Sequence, residues 1–193
     1  MGLDIYFYKH TSTNDVLTYD IETLTAERKE SRKAKFPMDK INELIKNNDR
    51  EGLIELLTPY KVYDFEFKRL EECDDADIQY WVNEVIDSYA SYEDMYYRKV
   101  NFLYAFFSEK LDNEECLVTR HDCEQIIKYG ELILENKDLD LAKRLLPTQS
   151  GFFFGSTEYD DYYFMDVKDV VEQFKEYLED WTDDTIGWVY FSW

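Results

Sequence analysis

The spacing of apolar positions changes period several times along the chain, and each change predicts an element. "LDIYFYK" (3–9) alternates and is rich in Ile, Tyr and Phe, so it reads as a strand. Residues 10–35 look irregular, and "AERKESRKAK" (26–35), with five bases, reads as a solvated charge cluster, either helix or mobile loop. Pro37 then opens a helix with Met38, Ile41, Leu44 and Ile45 on one face. Asp49 caps a second helix that runs to Leu57 and stops at Pro59. In "YKVYDFEFKRL" (60–70), Val62, Asp64 and Glu66 alternate with aromatics, which predicts a second strand.

Helical spacing returns in "DDADIQYWVNEVIDSY" (74–89), where Ile78, Trp81, Val82 and Val85 are in register. "SYEDMYYRKVNFLYAFFSEKL" (91–111) predicts another helix, apolar nearly all round from Phe102 to Phe107 and so central to the fold. Thr119 and Asp122 have the spacing of a capping box ahead of a helix at 120–136. Its stripe is Cys123, Ile126, Ile127, Gly130, Ile133 and Leu134. The most regular helix carries Val167, Val170, Val171, Phe174, Tyr177, Leu178 and Trp181, and "IGWVYFSW" (186–193) closes the chain as a strand. No internal repeat is visible. Strands at both ends and near the middle, with helices between, predict a mostly helical α+β fold with a small sheet that pairs 3–8 with 186–192. A chain of 193 residues is expected to form one compact domain.

Composition supports a folded chain: 45% of residues are apolar, 17 are Tyr, and there are only six Gly and three Pro. Charge adds a constraint on partners. Asp plus Glu is 43 against 22 for Lys plus Arg, a net charge of −21. Residues 1–50 hold nine of each sign, so the whole excess lies beyond them. Such a field repels phosphate backbones and anionic headgroups. Direct nucleic-acid or membrane binding is therefore not expected, whereas a protein with a basic surface is a natural partner. Three cysteines, no basic-then-apolar start and no apolar run of about 20 residues point to a reducing cytoplasm.

Most catalytic chemistry finds no constellation. "CLVTRHDC" gathers Cys116, His121, Asp122 and Cys123, but structural zinc needs a second ligand pair and none exists. His10 and His121 leave few bases for a nucleophile, Ser150 lacks a G-x-S-x-G elbow, and "GFFFGS" is too bulky for a phosphate cradle. No metal, cofactor or catalytic residue is assigned, and an enzyme is not the expected class.

Two stretches invite a binding reading. On a helix, Asp94, Tyr97, Arg98 and Asn101 of "EDMYYRKVN" would share one face, with Arg98 either binding an anion or pairing with Asp94. In "LLPTQSGFFFGSTEYDDYYF" (145–164), Pro147 stops the preceding helix, and Gly151 and Gly155 flank a short buried strand, Phe152–Phe154. Polar clusters at both ends of that strand resemble the mouth of a concave site. With Asp4, the candidate ligand-binding set is Arg98, Asn101, Gln149, Ser150, Gly151, Ser156, Thr157 and Tyr159. The same pattern also fits aromatic core packing, and both readings stay open.

"MGLDIYFYK", "YYRKVNFLYAFF", the 145–164 loop and the closing "FSW" together resemble a family of small proteins carried by bacteriophages and by bacteria with phage-derived elements. The family's middle motif is Tyr-Trp-Arg-Lys-x-Asn, and Tyr97 stands here in the Trp position. The matching positions are Gly2, Leu3 and Asp4, then Arg98 and Asn101, then Gln149 through Gly155. Residues 10–90 lie outside the resemblance, which brings no catalytic residue with it. Joined to the charge and the tyrosines, it implies a cytoplasmic accessory protein in a bacterial host. That protein would bind a host protein with a basic surface, such as a CRISPR or restriction defence factor, by imitating the charge of DNA. The alternative is a small-ligand binder, or an enzyme, built on the loop. Oligomeric state is left open.

Overall fold

The two ends of the chain lie side by side. In the structure, a computed structural model that describes residues 2–11 and 20–193, four strands form one antiparallel sheet. They are β1 (Asp4–Thr11), β2 (Met95–Arg98), β3 (Glu115–Val118) and β4 (Thr185–Ser192), in the order β2-β1-β4-β3. β1 and β4 pair along their whole length, from Asp4 opposite Ser192 to Thr11 opposite Thr185. The expected pairing of the terminal strands is thus present, and it occupies the centre of the sheet. The two edge strands are four residues each, short enough to offer little template for a foreign strand.

Strand alternation decides which side chains enter the core. Ile5, Phe7, Met95, Tyr97, Cys116, Val118, Val189 and Phe191 are buried in one hydrophobic cluster. Asp4, Tyr6, Tyr96 and Arg98 alternate with them and face the other way. Against the buried side pack residues of α6 (Asn101–Phe107), α7 (Arg120–Asn136) and α9 (Asp161–Leu178). α7 and α9 approach closely at Gly130, where a Cβ would stand 2.3 Å from Cγ2 of Val171. α7 begins with a complete capping box. Thr119 accepts from the Asp122 N–H, and Asp122 accepts from the Thr119 N–H at 2.9 Å. Burial disfavours the Asp122 charge, but the Lys110 ammonium and the Thr119 donors outweigh it and hold the carboxyl below its usual range.

The contacts of the chain gather in two compact units, Met1–Ile21 with Glu93–Trp193, and Glu22–Tyr92. The first, the sheet unit, holds the strands and α6 to α9, including α8 (Leu139–Leu145). The second is helical. It contains most of α1 (Ile21–Lys33), then α2 (Met38–Lys46), α3 (Arg50–Leu57), α4 (Asp64–Glu72) and α5 (Ile78–Ser91). Its own core includes Ile41, Leu53, Leu57, Leu70, Val82 and Val85. Phe36, Tyr60 and Tyr89 form a ring cluster beside that core, with centroids 4.2–5.5 Å apart. Asp49 caps α3 by accepting from the Gly52 N–H, and Pro59 lies in the 3-10 turn that follows Leu57, as their positions predict. No helix among the described residues is long and apolar enough to cross a membrane.

Several expectations need correction. Of the irregular stretch 10–35, residues 12–19 lie outside the described ones, while 21–33 is helix. Its charged run is only partly solvated: Arg28 is 3% exposed and donates to the carbonyls of Ala90 and Tyr92, with Arg32 donating to those of Tyr89 and Tyr92. The two guanidiniums satisfy carbonyls that the end of α5 leaves without intrahelical partners. Residues 60–70 form no strand. α4 buries Phe67 and Leu70 at helical spacing and leaves Phe65, which a strand would turn the same way as Phe67, in solvent. Residues 91–111 do not form one helix, because 95–98 alternate as β2 before α6 begins.

Asp122→Ala is expected to lower the unfolding free energy by about 1–2 kcal/mol, as judged by chemical denaturation, because it removes half the capping box and the partner of Lys110. A second expectation concerns Glu66, which is 2% exposed. It accepts from the Ser88 hydroxyl, and among the described residues its Oε2 has no partner. Burial raises its carboxyl above the ordinary 4.5, with Glu84 adding to the effect. The folded state therefore holds this proton more tightly than the unfolded chain, and stability is lost as pH rises past the ordinary value. Relative to the wild type, Glu66→Gln should gain stability progressively as pH rises above the ordinary 4.5 in denaturation curves. Parallel curves would mean that Glu66 is ionised without penalty.

Candidate ligand cleft

Three stretches far apart in sequence meet at one end of the sheet. Ahead of β1, the Leu3 N–H donates to the Phe153 carbonyl at 3.1 Å, and the Leu3 carbonyl accepts from the Lys99 N–H at 2.7 Å. Lys99 has a φ of +62°, the left-handed turn that takes the chain from β2 into α6. Gly155 has a φ of +91°, and a Cβ there would come within 3.1 Å of the Lys99 Cβ. The two turns are therefore packed against each other, and glycine meets both the backbone and the space requirement at 155.

Asn101 ties the junction together. It is 3% exposed, and its amide donates to the carbonyls of Phe154 at 3.1 Å and Ser156 at 2.8 Å. Its oxygen accepts from the Gln149 N–H at 3.2 Å. One buried side chain thus closes the loop from Gln149 to Ser156 with three hydrogen bonds. A second closure lies outside it: the Thr148 hydroxyl donates to the Thr157 carbonyl, and the Thr148 N–H donates to the Tyr159 hydroxyl, each at 3.0 Å.

The three phenylalanines do not form the expected buried strand. Residues 152–154 make a turn, because their carbonyls are engaged by Leu3 and Asn101 instead of a strand partner. Only Phe154 is buried, between Tyr104 and Trp193, whereas Phe152 is 92% exposed.

Beside this junction lies a cleft of about 210 Å³. Arg98 and Lys99 are the basic residues of its lining, Glu158, Asp160 and Asp166 bring negative charge, and Phe102 and Tyr163 are among its apolar lining. Of the predicted site residues, Arg98, Asn101 and Ser156 line the cleft. Asp4 lies next to it in the sheet, accepting from the Tyr96 hydroxyl at 2.5 Å and standing 3.9 Å from Arg98. That hydrogen bond to Asp4 pushes the Tyr96 phenol up to about 12. The remaining five form the loop and do not line the cleft. Gln149 and Gly151 contribute main-chain bonds, the Ser150 carbonyl accepts from the Gln149 side chain, and Thr157 and Tyr159 fasten Thr148.

Arg98 does not share a helix face with Asp94, Tyr97 and Asn101. On β2 it points away from buried Tyr97, and its carboxylate neighbour is Asp4, while Asp94 accepts from the Lys9 N–H. Arg98 is 55% exposed, so the 3.9 Å pairing leaves its guanidinium open to a further anion. Lys99 and Asp166 escaped sequence reading. Asp166 sits one turn beyond Tyr162, beside the apolar stripe of α9, and among 43 acidic residues that position did not single it out. Burial raises its carboxyl, with Asp169 and Asp160 adding to the effect.

The Cys116 and Cys123 thiols lie elsewhere in the core, each pushed up to about 12 by burial, too high for nucleophilic attack at neutral pH. A wider hollow of about 580 Å³ runs along β3 past Lys110, Glu115 and Cys116, but none of the three converging stretches reaches it. No protein-family model, curated protein or solved structure matches the chain.

Asn101→Ala should cost roughly 2–3 kcal/mol, since it removes three bonds and strands the Phe154 carbonyl. Asn101→Asp should cost more, by setting an acceptor against two carbonyls. Both variants should be cut faster by chymotrypsin at Phe152–Phe153 than the wild type. Unchanged stability and cleavage in both would show that Asn101 does not hold the loop.

Proposed function

We propose that the protein is a binding protein whose cleft beside β2 takes a small polar ligand. The observation that carries this is the cleft lined by Arg98, Lys99 and Asn101 together with Thr148, Gly155 and Ser156, beside the junction that residues 2–4 help to tie, with an accessible Arg98 in its lining. Asn101 and the main-chain bonds use up their own polar groups in building the rim. Arg98 and Lys99 are left facing the opening. A rim so fixed is preorganised, and a ligand entering it orders little further backbone. The volume lies below the roughly 300 Å³ at which pockets for drug-sized molecules begin, so a small metabolite fits best.

A second reading draws on charge. The sheet unit holds 26 acidic and 11 basic side chains, a net −15, against −6 for the helical unit. With the resemblance to bacteriophage and prophage proteins, this supports an accessory role in which the acidic surface meets a host protein with a basic surface, a nucleic-acid-handling defence factor being the natural class. The two readings are compatible, since the cleft takes up little of the surface.

Thermal shift across a library of small polar metabolites tests the first reading. At about 100-fold above its Kd, a cleft ligand should raise Tm by roughly 5–10 °C, and Arg98→Met should abolish the rise without lowering the ligand-free Tm. A library without hits, or hits indifferent to Arg98→Met, would contradict it. For the second reading, pull-down from bacterial lysate should capture a basic protein that high salt releases. Capture unaffected by salt would remove the electrostatic basis.

A further inference from the structure

Opposite charges line the cleft without meeting across it. Among the described residues, Lys99 and Asp166 make no ion pair or hydrogen bond with another side chain, and the ion contact of Arg98 is the 3.9 Å one with Asp4. Asp160 is spent as the cap of α9, accepting from the Tyr162 and Tyr163 N–H groups at 3.0 and 3.1 Å. The cleft therefore offers two cationic groups and, in Asp166, a partly buried carboxylate that receives no donor from the described residues. Each sign argues against one simple ligand. A phosphate or other pure anion would sit among Glu158, Asp160 and Asp166, and a simple amine would sit beside Arg98 and Lys99. A ligand carrying both charges satisfies both signs.

We infer that the cleft takes a small zwitterion of the free amino acid class, with its carboxylate toward Arg98 and Lys99 and its ammonium toward Asp166. This rests on the reading of the cleft as a ligand site and adds the ligand's chemistry. Phe102 and Tyr163 give the carbon skeleton an apolar surface, and Thr148 and Ser156 offer neutral polar groups near the Asn101 junction. The carboxyl of Asp166, raised by burial and by Asp169 and Asp160, returns to its charged form most readily when a cation enters. An ammonium supplies that cation, and three donors besides.

The test uses the full chain, with thermal shift and ¹H–¹⁵N spectra read in parallel. The probes are the twenty L-amino acids, their amides, their N-acetyl derivatives, and acetate, inorganic phosphate and methylammonium as single-charge controls. At least one free amino acid should raise Tm and move the Asn101 side-chain and Tyr163 backbone signals. Its amide and its N-acetyl form should bind about tenfold more weakly or worse. Arg98→Met should weaken the free amino acid by a similar factor, and so should Asp166→Asn, which removes no bond from the fold and, by relieving a carboxylate that burial disfavours, should not lower the ligand-free Tm.

Three results would overturn the inference: no effect from any free amino acid, equal binding of the amide and N-acetyl forms, or tight binding that survives Asp166→Asn. Should phosphate, acetate or a library metabolite move the same signals while amino acids do not, the zwitterion fails and the ligand cleft stands. Should nothing move them, both fail.

Discussion

The antiparallel pairing of β1 with β4 is the interaction on which the rest of the sheet unit depends. It runs from Asp4 opposite Ser192 to Thr11 opposite Thr185 and joins the beginning of the chain to its end. Among the described residues, β2 and β3 join the sheet only through these two strands, and the buried alternation of β1 and β4 presents Ile5, Phe7, Val189 and Phe191 to the helices. Long-range strand pairing is entropically costly, because the loop it closes spans nearly the whole sequence. The cost is met by dense aromatic packing: Phe7 contacts Tyr97, Phe107, Phe174 and Tyr177 at 5.2–6.4 Å, and the Tyr177 hydroxyl donates to the Tyr8 carbonyl at 2.6 Å. The rings thus belong to the sheet's attachment to α9 as much as to the sheet itself.

The same pairing determines where the cleft lies. Because β1 is central, the residues just before it are held beside the end of β2, and Leu3 becomes a main-chain bridge between Lys99 and Phe153. Asn101, at the first turn of α6, then fastens the loop that leads to α9. Structure and charge divide the work among neighbouring residues. Asn101 is buried and saturated, whereas Arg98 and Lys99, three and two positions earlier, are exposed and line a cleft that also holds carboxylates. A segment that would pass for one functional motif contains both a support and a contact surface.

Much of this was legible in the sequence where a single period or cap governs. The α+β class, the terminal strands, the capping box at Thr119 and the stripes of α7 and α9 follow from spacing alone. Residues 95–98 were not legible, because "MYYR" next to "NFLYAFF" reads as continuous helix until a left-handed Lys99 breaks it, and nothing in a lysine announces a positive φ. "VYDFEF" failed differently: its alternation is real, but burial of Phe67 and Leu70 in the helical unit outweighs it. At the cleft, the loop and Arg98 stood out by composition, and Asn101 by its place in the motif. Asp166 did not, since one acid among 43 carries no signal until a fold leaves it without a donor.

Native-state hydrogen exchange, read residue by residue by NMR, addresses the central claim most directly. If residues 2–4, 98–101 and 148–156 are one knitted structure around a preformed cleft, the amides of Leu3, Lys99 and Gln149 should be protected and should open with a common free energy. Fast exchange at Gln149 beside slow exchange at Lys99 would mean that the loop opens independently, and the cleft would then not exist as a preformed site.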